Sequence, residues 1–410
     1  MAKSPVSIVL VGIGGMGAVY VRELLEAKEP DAFRIAGAVD PDPARCPRLS
    51  ELEALGVPIF AKIEDFYAGR KADLAVISSP IQFHEAQTRA ALAGGSHVLC
   101  EKPAAGTIGE ARAMLAAERT SGRWVAVGYQ WSFSAAVQSL KRDIWDGLYG
   151  RPKRLKCLYL WPRDEFYYKR NDWAGKKRGA TGGWILDSPA QNAMAHDLHN
   201  MFYVLGKETD ASAVPVEVEA ELYRANPIEN YDTAALRART GEGVEILFYA
   251  THASRGDKGP VFAYEFEKGV VRCVSRTSGI WGELPGGERK EYGVPDADGM
   301  RKLWDSIRAV RTGKRPVCGL EAASSQTLCV NAMQDSMPEI RDFPDNLRYI
   351  LEVEGGGRRV WIEGLDAALE ACYDANALPS EMNVPWSAPG RRVNLGTQYS
   401  FPNSGGAAAA

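Results

Sequence analysis

The chain changes its hydrophobic rhythm about a third of the way along. Up to residue 128, short apolar runs alternate with longer amphipathic stretches. Ser7–Val11 (SIVLV), Phe33–Val39 (FRIAGAV), Ala72–Ile77 (ADLAVI), His97–Cys100 (HVLC) and Trp124–Val127 (WVAV) read as strands that are apolar almost throughout. Between them, Ala18–Ala27, Glu85–Ala93 and a segment from Thr107 to about Arg119 carry helical spacing. Thr107 with Glu110 three residues on is a capping-box signature. Apolar strands joined by helices predict a parallel, doubly wound sheet covered on both faces. From residue 129 the strands lengthen and several alternate in polarity: Arg154–Trp161, Val216–Arg224, Asp232–Ala238, Val244–Thr251 and Val261–Val274. Such alternation predicts a mainly antiparallel sheet with one face buried and one open. Further helices read as Ala135–Trp145, Asn192–Val204, Met300–Arg311 and Gly364–Asn376. An open sheet face with no other cover is expected to pair with a second copy, giving a homodimer or homotetramer.

The first apolar strand runs into Gly12-Ile13-Gly14-Gly15-Met16-Gly17, which opens the first helix. In that setting a glycine cluster has a mechanism. Gly12 permits the tight turn, Gly14 lets the backbone approach a pyrophosphate, and Gly17 lets helix pack on strand. Ile13, Gly15 and Met16 complete the loop, whose free N–H groups face the anion at the positive helix end. The second strand ends at Asp40, where a carboxylate takes the ribose hydroxyls of NAD. Asp40 repels a 2′-phosphate, while Arg45 nearby offers a charge partner for NADP. Residues 1–128 are therefore expected to form an NAD-binding Rossmann domain. Residues 129–400 follow as a substrate-binding and oligomerisation domain, and 401–410 as a disordered tail. The glycine turn, Asp40, Ser79 and Lys102 all fall at strand carboxyl ends, where such sheets bind ligands.

Composition narrows the class. With 410 residues, 45% hydrophobic content and a net charge of −3, the chain can build two cores and has no electrostatic reason to bind nucleic acid or an anionic membrane. No apolar run approaches a membrane span. The seven cysteines are scattered and without CxxC spacing, so neither a disulfide framework nor a metal site is expected. The chain opens MAKSPVSIVL without a charged-then-apolar leader, and the expectation is a cytoplasmic protein.

The stretches Gly12–Gly17, Ser78–Ala105 (SSPIQFHEAQTRAALAGGSHVLCEKPAA) and Val127–Phe133 (VGYQWSF), with a weaker match at Thr181–Asp187 (TGGWILD), resemble the family of glucose–fructose oxidoreductase, inositol dehydrogenase and rhizopine-catabolism proteins (Gfo/Idh/MocA). The resemblance implies a Rossmann domain followed by an α/β domain with a large, mainly antiparallel sheet. It also implies NAD(P)-dependent oxidation of sugars, sugar derivatives or cyclitols. Lys102, in Glu101-Lys102-Pro103, then sits at the nicotinamide end. An ammonium there stabilises the developing charge on the reacting oxygen, and burial would lower its pKa enough for proton transfer. Asp187 matches the acid that orients substrate; its alternative role is to cap the helix that follows. Ser79, His84, Glu101 and Gln130 are matched cofactor contacts, His84 equally a helix-end packing residue and Glu101 a partner of the nicotinamide ribose. His97 reads as structural. Tyr129 and Trp131 are matched substrate contacts.

One departure is serious. The family pattern places a histidine base four residues after the aspartate, where this chain has Gln191, and an amide is no base near neutral pH. Lys102 then carries the proton, with Gln191 and Asn192 as substrate hydrogen-bonders, or His196 or His199 reaches the site. On an ideal helix His196 lies about 140° from position 191 and His199 about 80°, so neither simply replaces it. The segment Arg163–Arg178, rich in aromatic and basic residues and containing Trp173, suits a sugar ring that carries an anionic group. Three readings stay open: an NAD-dependent sugar, glycoside or cyclitol dehydrogenase; an NAD-retaining glycoside-cleaving enzyme working by transient oxidation and elimination; and a non-catalytic cofactor-binding sugar sensor.

Overall fold

The computed structural model describes residues 4–402. The chain divides into two compact units. The first runs up to Phe133 and takes in Asp298–Ser324; the second holds Ser134–Ala297 and the chain from Ser325 onward. Among the described residues the first unit carries a six-stranded parallel sheet, built from β1 (Val6–Val11), β2 (Phe33–Val39), β3 (Ile59–Phe60), β4 (Leu74–Ile77), β5 (His97–Cys100) and β6 (Val125–Val127). Their order is β3-β2-β1-β4-β5-β6, so the order in which the chain crosses the parallel sheet reverses between β1 and β4. β1 is buried along its whole length, as a strand covered on both faces must be. The Thr107 capping box forms with both of its bonds and opens the helix Ile108–Ser121, which ends at Gly122 in a left-handed conformation.

The expected division after residue 128 misses a return of the chain. The helix Arg301–Thr312 rests against β1 and β5, burying Lys302, Leu303, Ser306 and Ile307. Its amphipathic pattern announces a helix without saying which core the apolar face joins.

The second unit is built on a sheet with the order β14-β13-β12-β11-β7-β10-β9-β8-β15, with β18 also pairing β8. These are β7 (Pro152–Leu160), β8 (Pro215–Arg224), β9 (Thr233–Thr240), β10 (Glu245–Thr251), β11 (Lys258–Phe266), β12 (Val270–Cys273), β13 (Ile280–Glu283), β14 (Arg289–Gly293), β15 (Arg341–Asp342) and β18 (Val393–Asn394). Most neighbours are antiparallel, while β7–β10 and β8–β15 run parallel. A separate hairpin joins β16 (Arg348–Val353) to β17 (Gly357–Ile362). The expected single strand Val261–Val274 is two, β11 and β12, folded into a hairpin with Phe262 opposite Cys273.

Among the described residues the central strands of the sheet are covered on both faces. On one side Leu158, Leu160, Tyr223, Leu247 and Tyr249 pack under the helix Leu365–Ala375 and under Leu378 and Trp386. On the other, the helix Ala195–Tyr203 rests against β7, and Asn200 Nδ2 donates to Tyr264 Oη at 3.1 Å. The expected oligomer surface is thus occupied by the chain's own C-terminal segment. That segment stays packed past residue 400: Phe401 meets the Trp184 ring at 5.1 Å. Residues 403–410 of the expected tail lie outside the described residues. Among the described residues no helix is long and apolar enough to cross a membrane.

Candidate functional site

In the first unit the glycine turn takes the shape its sequence requires. Gly12 has φ +79°, and a Cβ on it would stand 2.9 Å from the Ser79 nitrogen. A Cβ on Gly17 would stand 2.0 Å from the Gly12 carbonyl oxygen. Both positions admit glycine alone, because backbone occupies the space a side chain needs. Ser78 Oγ donates to the Gly12 carbonyl at 2.8 Å. The helix that follows, Met16–Leu25, begins after Gly15 with no side-chain cap; Gly17 and Ala18 N–H donate to the Gly14 and Gly15 carbonyls at 2.9 and 3.2 Å, and the positive helix end favours an anion. Asp40 stands beside this turn: one carboxylate oxygen accepts from Ile13 N–H at 2.8 Å and the other from Asp42 N–H at 2.9 Å. A Cβ-free cradle, an uncapped helix start and a fixed carboxylate at the end of β2 fit a dinucleotide with free ribose hydroxyls. Arg45 pairs with Asp42 at 3.6 Å on the surface.

Lys102 follows β5 at the same end of the sheet and is half-buried. Ser79 Oγ donates to Gln87 Oε1 at 2.5 Å. His84 is 1% exposed, with Nδ1 2.9 Å from the Pro103 carbonyl and Nε2 2.9 Å from the Ser79 carbonyl. Burial lowers its pKa. Each ring nitrogen faces a backbone carbonyl, and His84 ties the Ser79 loop to the Lys102–Pro103 loop.

Glu101, expected at the nicotinamide ribose, is turned into the core of the first unit. It is 6% exposed, accepts from Tyr20 Oη at 2.6 Å and from Lys102 N–H at 3.1 Å, and pairs with Lys302 Nζ. Burial alone would raise its pKa, but Lys302, Tyr20 and Lys102 outweigh burial and hold the carboxyl below its ordinary value. A buried carboxylate demands such partners. Lys302 gives little sign of this role in the sequence beyond being a lysine in step with the apolar face of its helix. Tyr129 and Trp131, expected at the substrate, are buried at 0% and 2% exposure because they fill the core. Gln130 between them keeps partial exposure.

In the second unit the site centres on Asp187, 2% exposed. Its Oδ2 accepts from Gly175 N–H at 2.6 Å and its Oδ1 from Asn192 Nδ2 at 2.8 Å. Arg170 approaches Oδ2 at 3.7 Å. Leu186 before it holds φ +56°, a left-handed conformation costly for leucine. Ser188, not Asp187, caps the turn that follows.

That turn is not α-helical, which corrects the expected helix Asn192–Val204. Pro189–Ala193 forms a π turn, closed by Met194 N–H donating to the Pro189 carbonyl at 2.8 Å. Regular helix runs from Ala195 to Tyr203. The angular spacing of an ideal helix therefore does not carry across from Gln191 to His196. Gln191 is fully buried; its Oε1 accepts from Gln326 Nε2 at 3.2 Å, and that nitrogen also donates to the Ala190 carbonyl at 2.8 Å. It clasps the turn from inside, which argues against its expected role as a substrate hydrogen-bonder, whereas Asn192 is half-buried on Asp187. His199 is fully buried and stacked on Tyr203 at 5.4 Å, its pKa pushed down to about 3 by burial and then by Lys141. His196 keeps partial exposure.

His252 escaped the sequence reading, lost at the end of the apolar strand β10. It is 2% exposed. Its Nδ1 lies 2.8 Å from the Trp161 carbonyl, and its pKa is pushed down to about 3, chiefly by burial. Its ring lies 5.4 Å from that of Tyr167. Around it, Arg163, Arg170 and Arg276 lie over aromatic rings. Arg163 stands 3.7 Å from the Trp161 ring and 4.6 Å from Tyr167; Arg170 stands 3.7 Å from Tyr167 and 5.3 Å from Trp173; Arg276 stands 4.4 Å from Trp161. Trp173 thus closes the ladder on the Asp187 side, through Arg170.

The comparisons agree with this geometry. A family model described as an oxidoreductase family with an NAD-binding Rossmann fold matches residues 6–129. A 1,5-anhydro-D-fructose reductase from Ensifer adhaerens is 30% identical over 161 residues, 38% of this chain and 45% of its own length. An inositol 2-dehydrogenase/D-chiro-inositol 3-dehydrogenase from Shouchella clausii is 28% identical over 155 residues, 38% of this chain and 44% of its own. The aligned part spans about half the length of these curated relatives. The WlbA dehydrogenase from Bordetella pertussis, solved with NADH and UDP-GlcNAcA, shares the fold at a TM-score of 0.66 and 21% identity, covering 82% of this chain and 97% of its own.

Proposed function

We propose that this chain, whose residues 6–129 match the model of an NAD-binding Rossmann oxidoreductase family, is an NAD-dependent dehydrogenase acting on a secondary hydroxyl of a sugar or cyclitol. The observation that carries this reading is the conjunction, at one end of the first unit's sheet, of the cradle at Gly12 and Gly17, the carboxylate of Asp40 and the ammonium of Lys102. The relatives' names, a reductase of an anhydrosugar and an inositol dehydrogenase, support the substrate class.

Gly12–Gly17 and Asp40 would hold the dinucleotide, which supplies a hydride acceptor when bound. Lys102 donates a hydrogen bond to the reacting oxygen and takes up its charge as the alkoxide develops. The Lys102–Pro103 loop is fixed from below by His84 and Glu101, so the ammonium needs little reorganisation. Asp187, held by Gly175, Asn192 and Arg170, accepts substrate hydroxyls and orients the ring. His196 stands as the second proton-handling candidate, since His199 and His252 are buried and held neutral. No observation separately favours the glycoside-cleaving or the sensor reading.

The test is a panel of sugars, glycosides and cyclitols with NAD and NADP, following reduced cofactor and released aglycone. Net reduction of NAD, with turnover falling by about two orders of magnitude or more in Lys102→Met, is the expected result. Aglycone release without net reduction, or NAD binding without any turnover across the panel, would overturn it.

A further inference from the structure

We propose that Arg163, with Arg170 and Arg276, forms a recognition site in the second unit for an anionic oxygen group carried by the substrate. The inference rests on the dehydrogenase reading and names the substrate class within it: a sugar or cyclitol bearing a carboxylate or phosphate.

The first observation is a cation without a counterion. The Arg163 side chain is half-buried, and its Nε is buried with no hydrogen-bond partner. It makes no ion pair with any described residue; its neighbours are the Trp161 and Tyr167 rings and a second guanidinium, Arg170. Guanidinium planes stacked on rings keep their N–H edges directed outward, the geometry that reads carboxylate and phosphate.

The second observation is the charge balance of the cluster. Arg170 has Asp187 at 3.7 Å and Arg276 has Asp296 at 3.6 Å, both longer than a close charge-assisted contact. Asp197 also faces Arg276, but burial favours its neutral form. Arg170 and Arg276 thus each have a carboxylate in reach, and Arg163 is paired with none among the described residues. Holding like charges together in a half-buried site is unfavourable without an anion.

The third is location. The ladder runs from Arg276 through Trp161, Arg163 and Tyr167 to Arg170, which contacts Asp187. The anion site is therefore continuous with the carboxylate assigned to substrate hydroxyls.

Calorimetry on the full chain loaded with NAD would compare glucose with glucuronate, glucose 1-phosphate and UDP-glucuronate. At least one anion is expected to bind about tenfold or more tightly than glucose, the scale of one charge-assisted hydrogen bond, and that advantage should be lost in Arg163→Gln. Glucuronate and glucose 1-phosphate separate carboxylate from phosphate as the group read. Arg276→Gln supplies the same test should Arg163→Gln fail to fold, and Arg151→Gln, an exposed arginine of the same unit, should bind as the wild type does. Equal binding of glucose and all three anions, or undiminished anion binding in both variants, would overturn the proposal while leaving the dehydrogenase reading intact. Anion binding without NAD reduction across the panel would instead sink the dehydrogenase reading alone.

Discussion

Replacing Lys302 by Met keeps the aliphatic stem and deletes the charge, so it isolates the ion pair with Glu101. Lys302 and Glu101 side chains are 2% and 8% exposed, and removing one partner of such a pair costs about 3–5 kcal/mol because the other charge stays buried. Glu101 would keep its bonds from Tyr20 Oη and Lys102 N–H, which places the loss near the lower end, about 3 kcal/mol. The pH dependence should invert. In the wild type the Glu101 pKa is lowered on folding, so its contribution is present above the unfolded value and lost as pH falls through the folded one. Without Lys302, burial dominates and raises the pKa, so the variant loses stability as pH rises above the unfolded carboxylate value. Glu101→Gln added to Lys302→Met should recover part of the loss, as coupled sites do. The assay is urea unfolding at pH 5 and pH 8, read by hydrogen exchange in the peptide spanning Arg301–Thr312. A loss below about 1 kcal/mol, the scale of an exposed pair, or no recovery in the double variant would refute the reasoning.

Other consequences can be measured as directly. Asp40→Ser should weaken NAD binding and cut the preference for NAD over NADP by about tenfold or more, since a like charge facing a 2′-phosphate is costly; an unchanged ratio of calorimetric dissociation constants would argue against the ribose assignment. Gln191→Ala and Gln326→Ala should each lower the urea midpoint, and together by less than the sum, because they share one hydrogen bond; full additivity would deny the clasp. Burial pushes the Asp197 carboxyl up to about 7, with Arg276 opposing and Asp296 reinforcing the rise. The raised pKa means that the folded state holds a proton the unfolded chain has lost, so wild-type stability falls between about pH 4 and pH 7. Asp197→Asn should flatten that fall, and a parallel pH profile for the variant would count against it.

What was legible in the sequence tracks how each element buries its surface. Strands such as His97–Cys100 and Phe33–Val39 were readable to the residue because an apolar run between polar flanks has few other uses. The glycine turn was readable because steric exclusion leaves glycine no substitute. The helix Leu320–Ser336 was invisible for the opposite reason. It buries Ser325, Gln326, Thr327, Asn331 and Gln334 and satisfies several through side-chain hydrogen bonds, so no apolar stripe marks it. The functional half of the second unit depends on that same kind of burial. Gln191 looks like a substrate ligand until Gln326 is seen to hold it, and Glu101 looks like a cofactor contact until Lys302 arrives from 201 positions away.

The large sheet shows where alternation stops informing. Alternating polarity states that two faces differ; it does not state whether a second copy or the same chain covers the more polar one. Here the cover is internal and tied by polar bonds as well as apolar contact. Lys156 Nζ donates to the Tyr373 carbonyl and to Asn376 Oδ1, both at 2.9 Å. Tyr249 Oη donates to the Ala377 carbonyl at 3.0 Å, and Arg237 pairs with Glu381. Lys156 and Arg237 thus end on the C-terminal segment, Lys156 Nζ also lying 4.4 Å from the Tyr373 ring centroid, while Arg154 pairs within the sheet with Glu245 and Glu265. Around the central strands this cover takes apolar area and charge that the strand pattern alone would leave free.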